Sequence, residues 1–374
     1  MRREIRHAAA HHAPKARRCP PQRWHHNYAQ HLLDEHADQL LDAFRPLARQ
    51  LARELGCLNP AAPVSHTQPV RGQFVVGDGT VVAAPVRKAT AERWAEQGGR
   101  QVNADIEVQN GESDSEFRWG TKFVLLGTRP DNVRNNRVVL DVDAVPSGKG
   151  YGGEARVAVD MIDRVVADPE IRCDGVCYDG AFRGTHIDHC MKRGLTVLSP
   201  VHDGTAKPAA LTQIDCACGD THTLWTENGP ICERQILDTG HKHLHACPIG
   251  KVFSRRNADG SHRWYLEFAT LSCGTVHRKR IDTTDADRTR GYNRAEHLRQ
   301  HVKTDDGDSL YDRCYGWRED NESLNNTLDR TLYGGRMIAY SAVRQLTVML
   351  GFALGRNAIA AYLHRRRHPA ERAA

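Results

Sequence analysis

The order of strand-like and helix-like runs between residues 73 and 199 limits the fold more than any other feature of the chain. Gln73 to Val82 reads Gln-Phe-Val-Val-Gly-Asp-Gly-Thr-Val-Val, two short β-rich runs on either side of Asp78. Lys122–Leu126 and Arg137–Val142 are further strand candidates around a turn at Pro130-Asp131-Asn132. Together the three predict an antiparallel meander. An amphipathic helix follows over Gly153–Ala167, with Ala155, Val157, Val159, Ile162 and Val165 at its apolar positions. A β run from Gly175 ends at Asp179-Gly180, Thr185–Arg193 predicts a helix capped by Gly194, and Leu195–Ser199 is the next strand. This is an α/β order. Its fourth strand can lie parallel to its first, which brings Asp78 and Asp179 together at adjacent strand ends. The third strand, carrying Asp141 and Asp143, then falls at the sheet margin.

Around this unit the chain divides into four expected parts. Residues 1–70 combine a basic arm, up to about residue 26, with helical periodicity from Tyr28 to Leu55 that Gly56 closes. Residues 71–199 hold the first part of the α/β core, within which 85–118 read as a polar insertion with Asp105 on the surface. Residues 200–305 break the rhythm as a β-rich insertion, with strand runs at Thr221–Trp225 and Arg263–Phe268. Residues 306–374 return to helix, over Tyr311–Arg330 and then over the apolar stretch Met337–His364, which should pack across the sheet.

The 40% hydrophobic and 26% charged residues are those of a folded soluble protein. No run approaches the roughly 18 apolar residues of a membrane span, and the N-terminus lacks a signal peptide's apolar core, so a cytoplasmic, non-membrane protein is expected. A net charge of +6 suits a nucleic-acid partner. The 11 Cys, several beside His, point to reduced thiols or a metal site before a disulfide scaffold.

Individual residues leave alternatives open. Asp78 between two glycines suits a metal-binding acid that a ligand can approach, although the local pattern by itself favours a hairpin turn. Should Asp78 be a turn residue, Asp141 or Asp143 is the next choice. Tyr315, Arg318 and Glu322 would share one helix face, suited to a phosphate and its metal, yet Arg and Glu four apart also make an ordinary surface ion pair. Trp317 could stack on a base or pack in the core. Lys122 and Arg183 lie near predicted strand ends, where they could meet phosphate. Cys216, Cys218, His222, Cys232, His241, His243, His245 and Cys247 crowd into the insertion; they suit either structural zinc or buried thiols with surface histidines.

Taken together, these motifs resemble the DDE transposases of bacterial insertion sequences, in the group whose last acid sits in Tyr-x2-Arg-x3-Glu-x6-Lys. Tyr315, Arg318 and Glu322 match three of its four positions; Asp329 stands at the Lys position, with Arg330 beside it. Asp78-Gly79-Thr80 matches the family's first acid motif, and Asp179-Gly180-Ala181-Phe182 resembles the second. The resemblance covers roughly residues 73–360 and implies an RNase H-like mixed sheet flanked by helices, with a β-rich insertion before the Glu helix. It also implies Mg2+-dependent cleavage and strand transfer at transposon ends. Two Mg2+ ions, which Mn2+ can replace, would be held by Asp78, Asp179 and Glu322, with a homodimer on double-stranded DNA in the nucleoid. Tyr315, Trp317, Arg318 and Arg330, with Lys122 and Arg183, are the expected DNA contacts. The alternatives are an inactive, transposase-derived DNA-binding protein and a nuclease of the same fold.

Overall fold

A computed structural model describes residues 31–110, 115–133, 135–147, 153–200, 208–226, 230–236, 242–281 and 309–369. The basic arm over residues 1–26 lies outside them. Helix α1 (Ala37–Glu54) ends where expected: Gly56 has φ +83°, and the N–H groups of Gly56 and Cys57 close onto Arg53 and Ala52 carbonyls. Strand β1 (Phe74–Ala83), helix α2 (Lys88–Glu96), β2 (Asp105–Asn110), β3 (Ser115–Thr128) and β4 (Val138–Ala144) follow. Then come α3 (Gly153–Val166), β5 (Gly175–Cys177), α4 (Gly184–Lys192) and β6 (Thr196–Leu198).

These strands form one mixed sheet in the order β2-β3-β1-β5-β6. The 14-residue β3 is long enough to pair β2 along residues 115–120 and β4 along 123–128 of its outer edge, so β4 is marginal, as expected. Pairing is antiparallel among β1 to β4, and β5 runs parallel to both β1 and β6. The fold is thus α/β. Residues 85–118, expected as an irregular insertion, instead supply α2, the edge strand β2 and the start of β3. Asp105 is exposed on β2, as expected.

The insertion holds two small antiparallel sheets. Strands β7 (Ala209–Asp215), β8 (Thr221–Thr226), β9 (Ile231–Ile236) and β10 (Lys242–Ala246) make the first. Strands β11 (Ile249–Arg256), β12 (His262–Ala269) and β13 (Val276–Ile281) make the second. Their buried Leu224, Ile231, Leu266 and Phe268 join Ile187 and Met191 of α4 in one apolar cluster, and the buried Trp264 indole donates to the Met191 carbonyl at 2.9 Å. Without that acceptor the indole N–H would be buried unpaired.

The C-terminal part is α5 (Leu310–Cys314), a 3-10 turn over Tyr315–Arg318, α6 (Glu319–Thr331) and α7 (Ala342–Arg367). Helix α7 is apolar and long enough to cross a membrane by length and composition, with mean hydropathy 1.4 over 18 residues, against the expectation that no run reaches that length. It packs instead on β4 and α1 through buried Met349, Leu350, Phe352 and Ala353. Its Asn357 acts as a substitute strand partner, exchanging 2.8 Å bonds with both the N–H and the carbonyl of Val139. Helices α1, α6 and α7 cover one face of the sheet, with Phe123, Leu125 and Val142 beneath them; α3 and α4 cover the other, over Val75, Val124 and Val176. Each such fully buried side chain contributes roughly 1.5–3 kcal/mol.

Candidate active site

Asp78 sits in the middle of an unbroken β1, opposite Leu125 of β3, which removes the hairpin-turn reading and also the expectation of a strand end. Close approach explains the glycines. A Cβ on Gly77 would lie 2.5 Å from the Tyr178 ring, and one on Gly79 would lie 2.3 Å from the Glu154 carboxyl carbon. Gly77 and Gly79 therefore face Tyr178 and Glu154, and Asp78 points to the other side of the strand.

The parallel register then places the second acid. Val76 pairs with Cys177, so Asp78 and Asp179 lie at neighbouring levels of adjacent chains, Asp179 just beyond the end of β5, where Glu154 is the charge that acts on it most strongly. Asp179 is held in the turn after β5 by the Ala181 N–H, which donates to its carboxylate at 2.9 Å.

Helix α6 lies over the Asp78 side of β1, anchored by polar contacts from two successive turns. Asp320, 4% exposed, receives Arg71, Arg129 at 2.6 Å and the Arg137 Nε at 3.0 Å. The Asn321 amide donates at 2.9 Å to the carbonyls of both Val76 and Leu125, across the β1–β3 pair. Asn325 donates to the Asp78 carboxylate at 2.9 Å, and its amide oxygen is buried with no partner. These contacts fix where Glu322 stands.

Arg318 is the bridge between the acids. Its guanidinium lies 3.5 Å from the Asp78 carboxylate and bonds Glu322 as well, so it is more than the surface pair the spacing alone allowed. The expected single helix over Tyr311–Arg330 is interrupted here by the 3-10 turn, but the Arg318–Glu322 juxtaposition is kept. Tyr315 stacks on Tyr311 at 4.6 Å, and the Arg318 guanidinium lies 5.7 Å from the Tyr315 ring centre. Trp317, partly buried, packs edge-on against Phe74 at 5.2 Å beside a small apolar cluster with Cys314 and Leu310.

Burial pushes the Asp78 carboxyl up to about 7; Arg318 opposes this, and Asp179, Glu154 and Glu322 add to it. Burial also raises Asp179, with Glu154 reinforcing the shift and the Ala181 N–H, Arg318 and Lys122 opposing it. Glu154, in the first turn of α3, is an acid that sequence reading missed. It accepts from the Tyr178 hydroxyl at 2.9 Å and pairs with Lys122 at 2.7 Å. The one local sign of it was Gly79, whose missing side chain leaves the room it fills. Lys122 is thereby committed to Glu154.

Other expected residues are scattered. Arg183 is exposed at the start of α4, and Arg330 is exposed in the last turn of α6. Asp329, half-buried seven residues beyond Glu322, shares its side of the helix, whereas Arg330 is turned away by about 80°. Asp141, the reserve choice for Asp78, is 1% exposed and paired with Arg45 at 3.0 Å and Arg164 at 2.9 Å; it ties α1 and α3 to β4. Asp143 pairs with the same Arg164 at 3.1 Å.

In the insertion, Cys216, Cys218 and His222 meet Cys273, which sequence reading did not include, with all four ligand atoms within 4.8 Å of one another, close enough to hold a metal ion. Cys232 and Cys247 are buried elsewhere; His243 and His245 lie on β10, both exposed; His241 falls outside the described residues. A second unforeseen feature is the outer face of β11 to β13. Phe253 and Tyr265 stack there at 5.2 Å, ringed by exposed Lys251, Arg255, Arg263 and Arg278.

The Asp78, Asp179 and Glu322 oxygens are not drawn together within 4.8 Å as the Cys/His ligands are, but by donor type the set around Asp78 suits a hard divalent cation. It offers carboxylate oxygens, one orphaned amide oxygen, and an acid whose proton a cation would displace. No known protein family, curated protein or solved structure matches the chain.

Proposed function

We propose that the chain is a DNA transposase with an RNase H-like core that cleaves and rejoins phosphodiester bonds. The observation that carries this reading is the pair of contacts that Arg318 makes, to Asp78 of β1 and to Glu322 of α6, with Asp179 at a neighbouring level on the parallel β5 chain.

Asp78, Asp179 and Glu322 would hold two Mg2+ ions, or Mn2+ in their place, and Glu154 would add negative charge from behind β1. The ions supply neutralisation of the charge that builds on the entering and leaving oxygens of an in-line displacement. Arg318 moves from carboxylate to phosphate, offering a forked contact to the scissile strand, with Tyr315 beside it. The Asp320–Arg71–Arg129–Arg137 cluster and Asn321 keep α6 from drifting, which the geometry of displacement requires. Exposed Arg183, Arg330 and the Lys/Arg face of β11 to β13 hold the phosphate backbone, with a homodimer pairing two DNA ends.

Purified protein with Mg2+ and a plasmid carrying the DNA that flanks its gene should give nicked and joined products. Asp179→Ala should lower the rate at least about a thousandfold, since it removes several kcal/mol of charge stabilisation. Wild-type protein that gives no cleavage with either Mg2+ or Mn2+ would sink the reading. DNA binding should weaken steeply with salt, because phosphate contacts release counterions. Asp329 at the position where the resembled family carries Lys favours a second reading, a DNA-binding derivative without cleavage, which the same assay separates. Cleavage without joined products would identify a nuclease.

A further inference from the structure

The Cys216–Ala-Cys218 pair lies in the β7–β8 turn, His222 is the second residue of β8, and Cys273 lies in the turn from β12 to β13. The cluster therefore joins two sheets that share no strand. Its ligand atoms stand at 3.5 Å from Cys216 Sγ to Cys273 Sγ, 3.3 Å from Cys218 Sγ to His222 Nε2 and 3.6 Å from Cys273 Sγ to the same nitrogen. Zn–S bonds of about 2.3 Å and Zn–N bonds of about 2.0–2.1 Å put ligand atoms roughly 3.4–3.8 Å apart around a tetrahedral centre.

The surroundings are built for the same purpose. His222 turns Nδ1 to the Glu233 carboxylate at 3.2 Å and to Ser272 Oγ at 3.0 Å, which leaves Nε2 facing the three sulfurs. A carboxylate on the far ring nitrogen fixes the tautomer and orientation of a metal-binding histidine. Glu233 is itself held by the Ser272 N–H at 3.0 Å and the Ser272 hydroxyl at 2.9 Å. Cys218 and Cys273 are each followed by a glycine in the left-handed region, Gly219 at φ +97° and Gly274 at +72°, so both turns fold tightly around their sulfur.

We propose that Cys216, Cys218, His222 and Cys273 are the four ligands of a structural zinc ion that staples the β7–β8 hairpin to the β12–β13 turn. Three thiolates and one imidazole in this arrangement select Zn2+ over the hard cations that suit the acids around Asp78. Protein side chains fill all four positions, so the ion holds structure and performs no chemistry. This site lies apart from β1, β5 and α6, and its occupancy does not depend on DNA cleavage.

Full-length protein purified in reductant, loaded with Zn2+ and freed of excess by gel filtration should carry about one zinc per chain by elemental analysis. Cys273→Ser should fall to a small fraction of that, while Cys173→Ser, which changes a thiol outside the cluster, should keep it. Replacement with Co2+ in the wild type should give the intense visible bands of a tetrahedral thiolate site, a readout that does not depend on any variant folding. Glu233→Gln should keep the bands and weaken affinity about 10–100-fold. Wild-type protein without stoichiometric zinc, a Co2+ spectrum of octahedral type, full loading of Cys273→Ser, or a Cys216–Cys273 disulfide found by thiol counting would each overturn the assignment.

Discussion

Asp78, Asp179 and Glu322 come from a mid-strand position, a strand-end turn and a helix and are not drawn within 4.8 Å of one another, whereas Cys216, Cys218 and His222 come from one hairpin and need only Cys273 from elsewhere to close to that distance. The two clusters also differ in what stands between their ligands. Around Asp78 a guanidinium lies between the carboxylates, 3.5 Å from one and bonded to another; in the insertion nothing separates the sulfurs and the imidazole. Charge accounts for the contrast. Sulfur and imidazole groups share protons and can sit in contact, but a carboxylate as buried as Asp78 repels its acidic neighbours and needs a cation beside it. Arg318 fills that role, so metal binding at the acids requires it to move, while the thiol cluster can load as it stands.

If α6 is what assembles the acids, the largest effect should come from its anchor. Asp320→Ala leaves the Arg71, Arg129 and Arg137 guanidiniums without their shared buried carboxylate. Breaking such a cluster should cost about 3–5 kcal/mol, read by urea unfolding. A loss below about 1 kcal/mol would show that the three arginines carry no structural weight. The cobalt spectrum of the insertion should survive the change at low temperature, because the thiol cluster draws nothing from α6.

The next effect is in pH. Asp78 holds its proton up to about 7 when folded against 3.8 when unfolded, so the folded state binds the extra proton between those values. Its contribution is therefore fully present below pH 3.8 and is lost as pH rises to about 7, by up to about 4 kcal/mol. Metal-free protein should lose this stability between about pH 4 and 7. Asp78→Asn should flatten the slope, and Mg2+ should flatten it too by replacing the proton. A slope unchanged in Asp78→Asn would assign it to another group.

How much of this was legible depended on how local each signal was. The glycines beside Asp78 mark where Tyr178 and Glu154 come close, whereas Gly180 beside Asp179 meets nothing within 4 Å. That β1 continues through Asp78 could not be read, since Asp-Gly has the chemistry of a turn and only the ring of Tyr178, a hundred residues away, explains Gly77. Nothing local sets Asp320 apart from the acids around it; its arginines at 71, 129 and 137 are joined to it only by the fold. Edge strand β2 and helix α2 are short and polar, so they carry no clear period. Cys273 lies beyond the Cys/His-rich stretch, but its Cys-Gly pair repeats Cys218-Gly219, a cue that was present and unused.

Gly77→Ala tests the close approach behind β1. The new methyl would stand 2.5 Å from the buried Tyr178 ring, which is wedged against Phe182 at 4.3 Å and cannot simply swing away. Overpacking of this kind costs about 1–3 kcal/mol. Combining it with Tyr178→Ala should cost less than the sum of the two single changes, because the clash disappears with the ring. Additive losses would mean that β1 and β5 yield independently at this point.

The smallest change separates structure from metal binding at the acids. Asn325→Ala removes the 2.9 Å bond to Asp78, which should cost about 1 kcal/mol, partly offset because the unpartnered buried amide oxygen leaves as well. Loss of the donor also favours the protonated carboxyl, so the pH at which Asp78 titrates should rise. Mg2+ affinity, measured by calorimetry, then tells which atom matters. If affinity falls only as much as the added proton competition requires, Asn325 serves Asp78 alone. If it falls further, the orphaned oxygen faces the ion, and the acid site shares with the thiol cluster a ligand held ready in the metal-free protein.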